Sequence, residues 1–270
     1  MTIVGADTSL TPDCGRTSAS RQTFVTGKAA QLAGEALRAD ILRLSNGSPT
    51  ATLEFRDRSI VVRDDGAVRT ISLAEMPENG LGYVVMAEKT FNPDTTSLGE
   101  NGQGSPYAVY AFGAQIAEVE VDLEWGCVKV VGFAAAHDIG RKVNPTLLEG
   151  QIEGAIAQGI GQALFEDFVP GKTENSHDYL LPTSCDVPPT DVIFIEERAS
   201  AGPYGAKGIG EPSLVPTAAA ILNSIRDATG SRVFEVPATP ERVLAAIDRD
   251  HWQLKIGHLF DLPIMWVHRD

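Results

Sequence analysis

The sequence predicts an α+β protein with mixed sheets and helices packed on them. Two observations carry this. Helical and strand periods follow one another in the order helix, strands, helix, strand, helix, strand, helix. Two strand pairs are joined by tight turns, and in the second, Ile116 to Phe133, the first strand keeps carboxylates on one face, the mark of a sheet with one solvated side.

The elements follow in chain order. Asp7 to Ser20 holds Pro12, Gly15 and repeated Ser and Thr, and is irregular. From Gln22 to Leu44, the residues Phe24, Val25, Leu32, Ala36, Leu37, Ile41 and Leu44 recur at three- and four-residue steps, an amphipathic helix. Ser45-Asn46-Gly47 ends it, with Gly47 as the expected left-handed cap. Thr52–Phe55 and Ser59–Val62 are short strands, and Asp64-Asp65-Gly66 turns the chain into a return strand from Val68 to Leu73. Phe91 to Gly113 is a long loop with three glycines before its last residue and two prolines; loops of this length are functional or disordered.

Ile116 to Glu124 alternates, with Val119, Val121 and Leu123 on one face. Glu124-Trp125-Gly126 turns, and Cys127 to Phe133 returns. A helix is expected from Pro145 to Phe168, with Leu147, Leu148, Ile152, Ala155, Ile156, Ile160, Leu164 and Phe165 in helical spacing. It carries Gly150, Gly154, Gly159 and Gly161, each costing about 1 kcal/mol against Ala. Such a set implies close approach by a backbone or a ligand, or a break in the helix. Asp191–Glu196 is a strand, Thr217–Ala228 a helix, and Val233–Val236 a short strand. Thr239-Pro240-Glu241 opens a last helix with Thr as N-cap and Pro in the first turn. No repeat, low-complexity stretch or clean linker divides the chain.

Composition removes several classes of function. The 270 residues hold 22 Lys and Arg against 36 Asp and Glu, a net charge of −14. A pI near 4.8 opposes a nucleic-acid footprint and an anionic membrane surface, both of which need clustered basic residues. No apolar run approaches the roughly 20 residues of a spanning helix. Met1 to Leu10 has neither the basic nor the apolar region of a signal peptide. Cys14, Cys127 and Cys185 are too dispersed for a disulfide framework or a zinc or iron–sulfur site. The expectation is an acidic cytoplasmic globular protein.

Three segments could carry chemistry. In Gly202-Pro203-Tyr204-Gly205-Ala206-Lys207-Gly208-Ile209-Gly210-Glu211-Pro212, four glycines precede one carboxylate, and a helix begins shortly after. Glycines let backbone N–H groups approach an anion, and Glu211 could then act as a general base. A surface turn whose glutamate stabilises the helix dipole is the competing reading. The segment satisfies neither the P-loop nor the dinucleotide-binding pattern. On the second segment, Gln151 and Gln158 lie two turns apart on one helix face, suited to a polar ligand crowded against glycines or simply to solvent. The third, Thr17 to Thr23, places small hydroxyl residues at a helix start, which suits phosphate binding or plain capping. His137-Asp138 is a candidate acid–base pair or a structural strand end. The histidines show no metal-ligand spacing.

Together these segments resemble a known family. Gly205 to Pro212, Gly150 to Ala155 with Gln158-Gly159-Ile160-Gly161, and Asp7-Thr8, Thr11-Pro12 and Ala19-Ser20-Arg21 resemble the xanthine dehydrogenase/aldehyde oxidase family. They match the C-terminal half of its molybdopterin-binding catalytic subunit. Asp138-Ile139-Gly140 with Asn144-Pro145 lies between them as in that family, and Thr239 to Leu244 resembles its usual ending. The resemblance spans about residues 1–248, implying one molybdopterin-binding domain there and an extension of unknown role at 249–270.

The resemblance implies a molybdenum with oxo, sulfido and hydroxide ligands, held through a pterin dithiolene and by no direct protein ligand. The pterin is expected in its cytosine dinucleotide form. Glu211 would take the proton of the hydroxide while oxygen attacks an electron-poor carbon and hydride passes to the sulfido group. Gln151 would hydrogen-bond near the metal's ligands. Ser18, Ala19, Ser20 and Gln22 would line the cofactor or substrate pocket. Lys207, Gly208 and Gly210 would border it through their backbone. The implied substrate is an N-heteroaromatic of purine or nicotinate type, with aldehydes as the alternative. Earlier family segments are absent, so the expected partners are a complementary molybdopterin-binding chain, a [2Fe-2S] subunit and an FAD subunit. A separately encoded subunit and a fragment both satisfy this pattern. A non-catalytic assembly module of the same fold is the alternative of another class.

Overall fold

The computed structural model describes residues 3–5 and 7–248. The tail at 249–270, read above as an extension, lies outside the described residues. The chain forms two compact units, Met1–Ala108 with Ala201–Tyr204, and Val109–Ser200 with Gly205–Asp270.

In the first unit, α1 (Arg21–Leu44) is followed by β1 (Thr52–Arg56), β2 (Ser59–Asp64) and β3 (Ala67–Ser72), an antiparallel sheet in that order. A 3-10 turn, Leu73–Glu75, follows. The β2–β3 turn places Asp65 and Gly66 both at positive φ, the two-residue turn whose twist matches the flanking strands. Ile41, Leu42, Ala51, Ile60 and Val62 form the core. The helix ends otherwise than expected. Asn46 (φ 48°), not Gly47, takes the left-handed position. Asn46 N–H donates to the Arg43 carbonyl (3.2 Å) and Gly47 N–H to the Leu42 carbonyl (2.8 Å), closing a Schellman motif. Gly47 sits in a tight place, where a Cβ would lie 3.1 Å from Leu42 and 3.3 Å from Val62.

In the second unit, β4 (Gly113–Val121) pairs antiparallel with β5 (Val128–Asp138), with a register shift at Glu118/Val119. β6 (Thr190–Ile195) pairs parallel with β5, which makes this sheet mixed, as expected. α2 (Pro145–Ile160) and α3 (Thr217–Thr229) pack over it. Residues 240–248 are helical (α4). The core joins Phe133, Ile152, Ile156, Ile221, Ile225 and Val243.

Two expectations for this unit are corrected. The helix from Pro145 does not reach Phe168. α2 gives way to a π-helical turn, Gly161–Phe165, in which Glu166 N–H donates to the Gly161 carbonyl at 2.8 Å. The Glu166 side chain folds back over Gly161, where a Cβ would meet its Oε1, and accepts a hydrogen bond from Tyr179 Oη (2.8 Å). Val233–Val236 is not a strand. It has no ladder partner among the described residues, Phe234 and Val236 are exposed, and the next amide, Ala238, donates to the Ala163 carbonyl at 2.6 Å.

Candidate functional site

The glycine-rich segment changes units between Tyr204 and Gly205. From Gly205 onward it is no surface turn. Gly205, Ala206, Lys207 and Ile209 are buried, and the chain emerges only at Glu211, which is exposed. Glu211 precedes α3 by six residues and lies in a turn of its own, where Leu214 N–H donates to the Glu211 carbonyl at 3.0 Å. It is therefore not a first-turn residue stabilising the dipole of α3.

The loop is fastened to the end of β5. Lys207 N–H donates to the Ile139 carbonyl (3.0 Å), and Lys207 Nζ reaches Asp138 Oδ2 (2.5 Å) and the Tyr110 carbonyl (3.0 Å). Both partners of this ion pair are buried, with side chains 7% and 6% exposed. Asp138 Oδ1 accepts from Gly140 N–H at 3.0 Å. Gly140 (φ 68°) must be glycine, because a Cβ would lie 2.2 Å from the Gly205 carbonyl oxygen. Lys207 thus offers a ligand only its backbone. The acid–base reading of His137-Asp138 gives way to two separate structural roles, Asp138 pairing with Lys207 and His137 with Gln115 Nε2 (3.0 Å). His137 is fully buried, and that burial holds its imidazole below the usual histidine range.

α2 presents a second set of groups. Its buried stripe is Ile152, Ala155, Ile156, Gly159 and Ile160. Gln151, Gly154 and Gln158 are exposed on the other side. The four glycines separate by cause. A Cβ on Gly159 would lie 2.3 Å from Thr217 Cβ, and one on Gly161 would strike Glu166. A Cβ on Gly150 or Gly154 would meet nothing within 4 Å. No described residue therefore requires those two glycines. Gln158, Gln162, Glu166 and Leu214 line a cavity of about 660 Å³, so Gln158 near the end of α2 and the turn after Glu211 border one space.

Ser18, Ala19, Ser20 and Gln22 belong to the first unit. Ala19 (φ 54°) and Ser20 (φ 53°) are consecutive left-handed residues, each costing roughly 1–2 kcal/mol when not glycine. Ser20 occupies the N-cap of α1 without a side-chain capping hydrogen bond, so plain capping does not explain it. Gln22 Nε2 donates to Thr17 Oγ1 (2.9 Å), and Gln22 Oε1 accepts from Thr26 Oγ1 (2.6 Å).

Sequence reasoning missed Gln115, Ser213 and Thr217, which hold the Glu211 turn to β4. No local motif marks them.

Comparison with known proteins gives the family. The model of the molybdopterin cofactor-binding domain matches residues 1–188. The chain is 33% identical over 246 residues to the aldehyde oxidoreductase of Megalodesulfovibrio gigas, covering 89% of this chain and 24% of that protein. It is 30% identical over 245 residues to the putative xanthine dehydrogenase molybdenum-binding subunit of Escherichia coli, covering 88% of this chain and 32% of that one. The crystal structure of the aldehyde oxidoreductase from Desulfovibrio desulfuricans superposes with a TM-score of 0.71 at 31% identity, over 88% of this chain and 24% of that one. The chain thus spans between 24% and 32% of the length of these relatives. It belongs to the molybdopterin cofactor-binding domain family, within the xanthine dehydrogenase/aldehyde oxidase group.

Proposed function

We propose that this chain forms part of the cofactor and substrate site of a molybdopterin-dependent hydroxylase, with Glu211 as its general base. The carrying observation is that one exposed carboxylate stands at the end of a buried glycine-rich loop, fastened by the Lys207–Asp138 pair. A base needs this combination of a reachable carboxylate and a backbone that does not wander.

The residues fit the cofactor. A pterin that brings its own sulfur ligands asks the protein for neutral donors and acceptors. The exposed amides of Gln151 and Gln158 supply both. Gly150 and Gly154 leave space beside them that no described residue fills. Among the described residues, no group of three or more His, Cys, Asp or Glu could hold a bare metal ion. The hydroxyls of Ser18 and Ser20, the backbone at Ala19 and the amide of Gln22 suit the phosphates of a cytosine dinucleotide form or the substrate. Gly208 and Gly210 offer backbone N–H groups beside Glu211.

When bound, the cofactor supplies the two-electron oxidation and the Lewis acidity that activates water. Glu211 accepts, on a carboxylate oxygen, the proton that the water-derived oxygen loses as it attacks substrate carbon. Gln151 orients the cofactor by hydrogen bonds.

The substrate in this reading is an N-heteroaromatic. The nicotine 6-hydroxylase large subunit of Paenarthrobacter nicotinovorans, 38% identical over 146 residues, supports it. Aldehyde oxidation is the second reading, favoured by the aldehyde oxidoreductase relatives. The partners would be a complementary molybdopterin-binding chain, an iron–sulfur subunit and an FAD subunit. A relative named as subunit gamma of a dehydrogenase complex, 32% identical over 255 residues, supports such an assembly. The net charge of −14 favours the cytoplasm over a membrane surface, and no described helix is long and apolar enough to cross a membrane.

The test is molybdenum and pterin content in material from the native host, with co-purifying chains identified by mass. Molybdenum stoichiometric with the chain, alongside a larger partner, is the expected result. Molybdate-fed cells yielding neither metal nor partner would replace this reading with a non-catalytic module.

A further inference from the structure

The Glu211 turn has a second anchor, independent of the Lys207–Asp138 pair. It runs from near the start of β4. Gln115 Nε2 donates to the Ser213 carbonyl (2.7 Å) and lies 3.0 Å from His137 Nε2. Gln115 Oε1 accepts from Thr217 Oγ1 (2.8 Å). Thr217 Oγ1 also lies 3.3 Å from the Ser213 carbonyl. A carboxamide has two N–H donors and one oxygen. The Ser213 carbonyl can only accept, which puts the amide nitrogen on that side and the oxygen toward Thr217. The second N–H then faces His137 Nε2, which accepts it when the ring proton sits on Nδ1, a buried atom with no hydrogen-bond partner among the described residues. The ring is pressed against Gly113, where a Cβ would lie 2.5 Å from His137 Cε1.

The anchor acts directly on the base-bearing turn. Ser213 is fully buried, and its hydroxyl donates to the carbonyls of Ile209 (2.7 Å) and Gly210 (3.1 Å). Glu211 lies between Gly210 and Ser213. The residue before it is thus held by the Ser213 side chain, and the residue two after it is held by Gln115. Gly159 on α2 supplies the space that Thr217 needs.

We infer that Gln115 and Thr217 are positioning residues for Glu211. The carboxamide of Gln115, oriented by His137 and Thr217, sets the position of the carboxylate through the Ser213 carbonyl. This rests on Glu211 being the base.

The test uses Gln115→Leu, Thr217→Val and Thr217→Ser in the assembled enzyme, with Glu211→Gln in parallel. Gln115→Leu is expected to lower kcat by about 10²-fold, the effect of misplacing a reacting group by roughly an ångström. KM and molybdenum content stay unchanged, and the acid limb of the kcat–pH profile moves. Thr217→Val is expected to lower kcat in the same way, and Thr217→Ser, which keeps the hydroxyl, to rescue it. On the chain itself, amide hydrogen exchange over 209–217 is expected to quicken in Gln115→Leu and Thr217→Val, with β5 and α2 unaffected. If Glu211→Gln abolishes turnover while Gln115→Leu and Thr217→Val keep wild-type kcat and pH profile, the positioning role is wrong and the base stands. If Glu211→Gln keeps turnover, the base is wrong, and the inference falls with it. Exchange then shows only whether Gln115 still holds the turn. Thr217→Val, which changes no volume, decides the matter should Gln115→Leu not fold.

Discussion

Gly159→Ala tests the packing that places the Glu211 turn, and its effect can be worked from distances. The added Cβ would lie 2.3 Å from Thr217 Cβ and 2.4 Å from Thr217 Cγ2. Ordinary contact between such atoms begins near 3.4 Å, so α2 and the start of α3 must part by about 1 Å. Both Cβ atoms are bonded directly to helical backbone, so no rotation of the Thr217 side chain relieves the closer contact. Overpacking of this kind costs about 1–3 kcal/mol, here toward the upper end. The gain in helix propensity returns about 1 kcal/mol. The net expectation is a destabilisation of about 2 kcal/mol. For a chain of this size that lowers Tm by roughly 4–8 °C. Gly154→Ala is the internal control, because its Cβ meets nothing within 4 Å, and it should stabilise the chain by up to about 1 kcal/mol. Urea unfolding of the full chain measures both. Wild-type or greater stability for Gly159→Ala would refute the close approach of Gly159 to Thr217.

Other expectations follow from the same contacts. Lys207→Met strands the buried Asp138 carboxylate without its ion-pair partner and should cost about 3–5 kcal/mol in urea unfolding, whereas removing both charges with Lys207→Met and Asp138→Leu should recover most of that loss. His137 is held neutral by burial, so its folded pKa lies below the unfolded 6.5. The unfolded chain then takes up a proton first. Stability is undiminished above the unfolded pKa and falls as the pH drops from there toward the folded value. His137→Gln, which keeps an acceptor for Gln115, should weaken that decline in urea midpoints taken between about pH 8 and pH 5. Gln151→Ala, on the exposed face of α2, should leave unfolding within about 0.5 kcal/mol of wild type while lowering the pterin content of purified material.

Much of the fold was legible because the periods were strong. The helix expected from Gln22 to Leu44 is α1 at Arg21–Leu44, and the one expected from Thr217 to Ala228 is α3 at Thr217–Thr229. Both expected hairpins formed, Asp65-Gly66 marking one and Gly126 (φ 71°) the other. The errors fell at helix ends and in one short apolar run. α2 gives way to a π-helical turn at Gly161, the left-handed residue after α1 is Asn46 rather than Gly47, and Val233–Val236 pairs with no described strand.

The candidate site divides along the same line. The Glu211 loop could be read from its glycines and its one carboxylate. Its anchors could not, since Gln115 meets Ser213 across 98 positions and Thr217 across 102, and Lys207 meets Asp138 across 69. No spacing rule reaches that far. The glycines of the expected Pro145–Phe168 helix divide. A Cβ would meet Thr217 at Gly159 and Glu166 at Gly161, whereas at Gly150 and Gly154 it would meet no described residue within 4 Å.

The most direct test of Glu211 as the base is turnover by Glu211→Gln in the assembled enzyme, with molybdenum content measured on the same sample. The substitution keeps size and polarity and removes only the basic oxygen. A fall of about 10²–10⁴-fold with the metal retained is the predicted result, the range for a positioned general base. Near-normal turnover at normal molybdenum content would contradict the assignment.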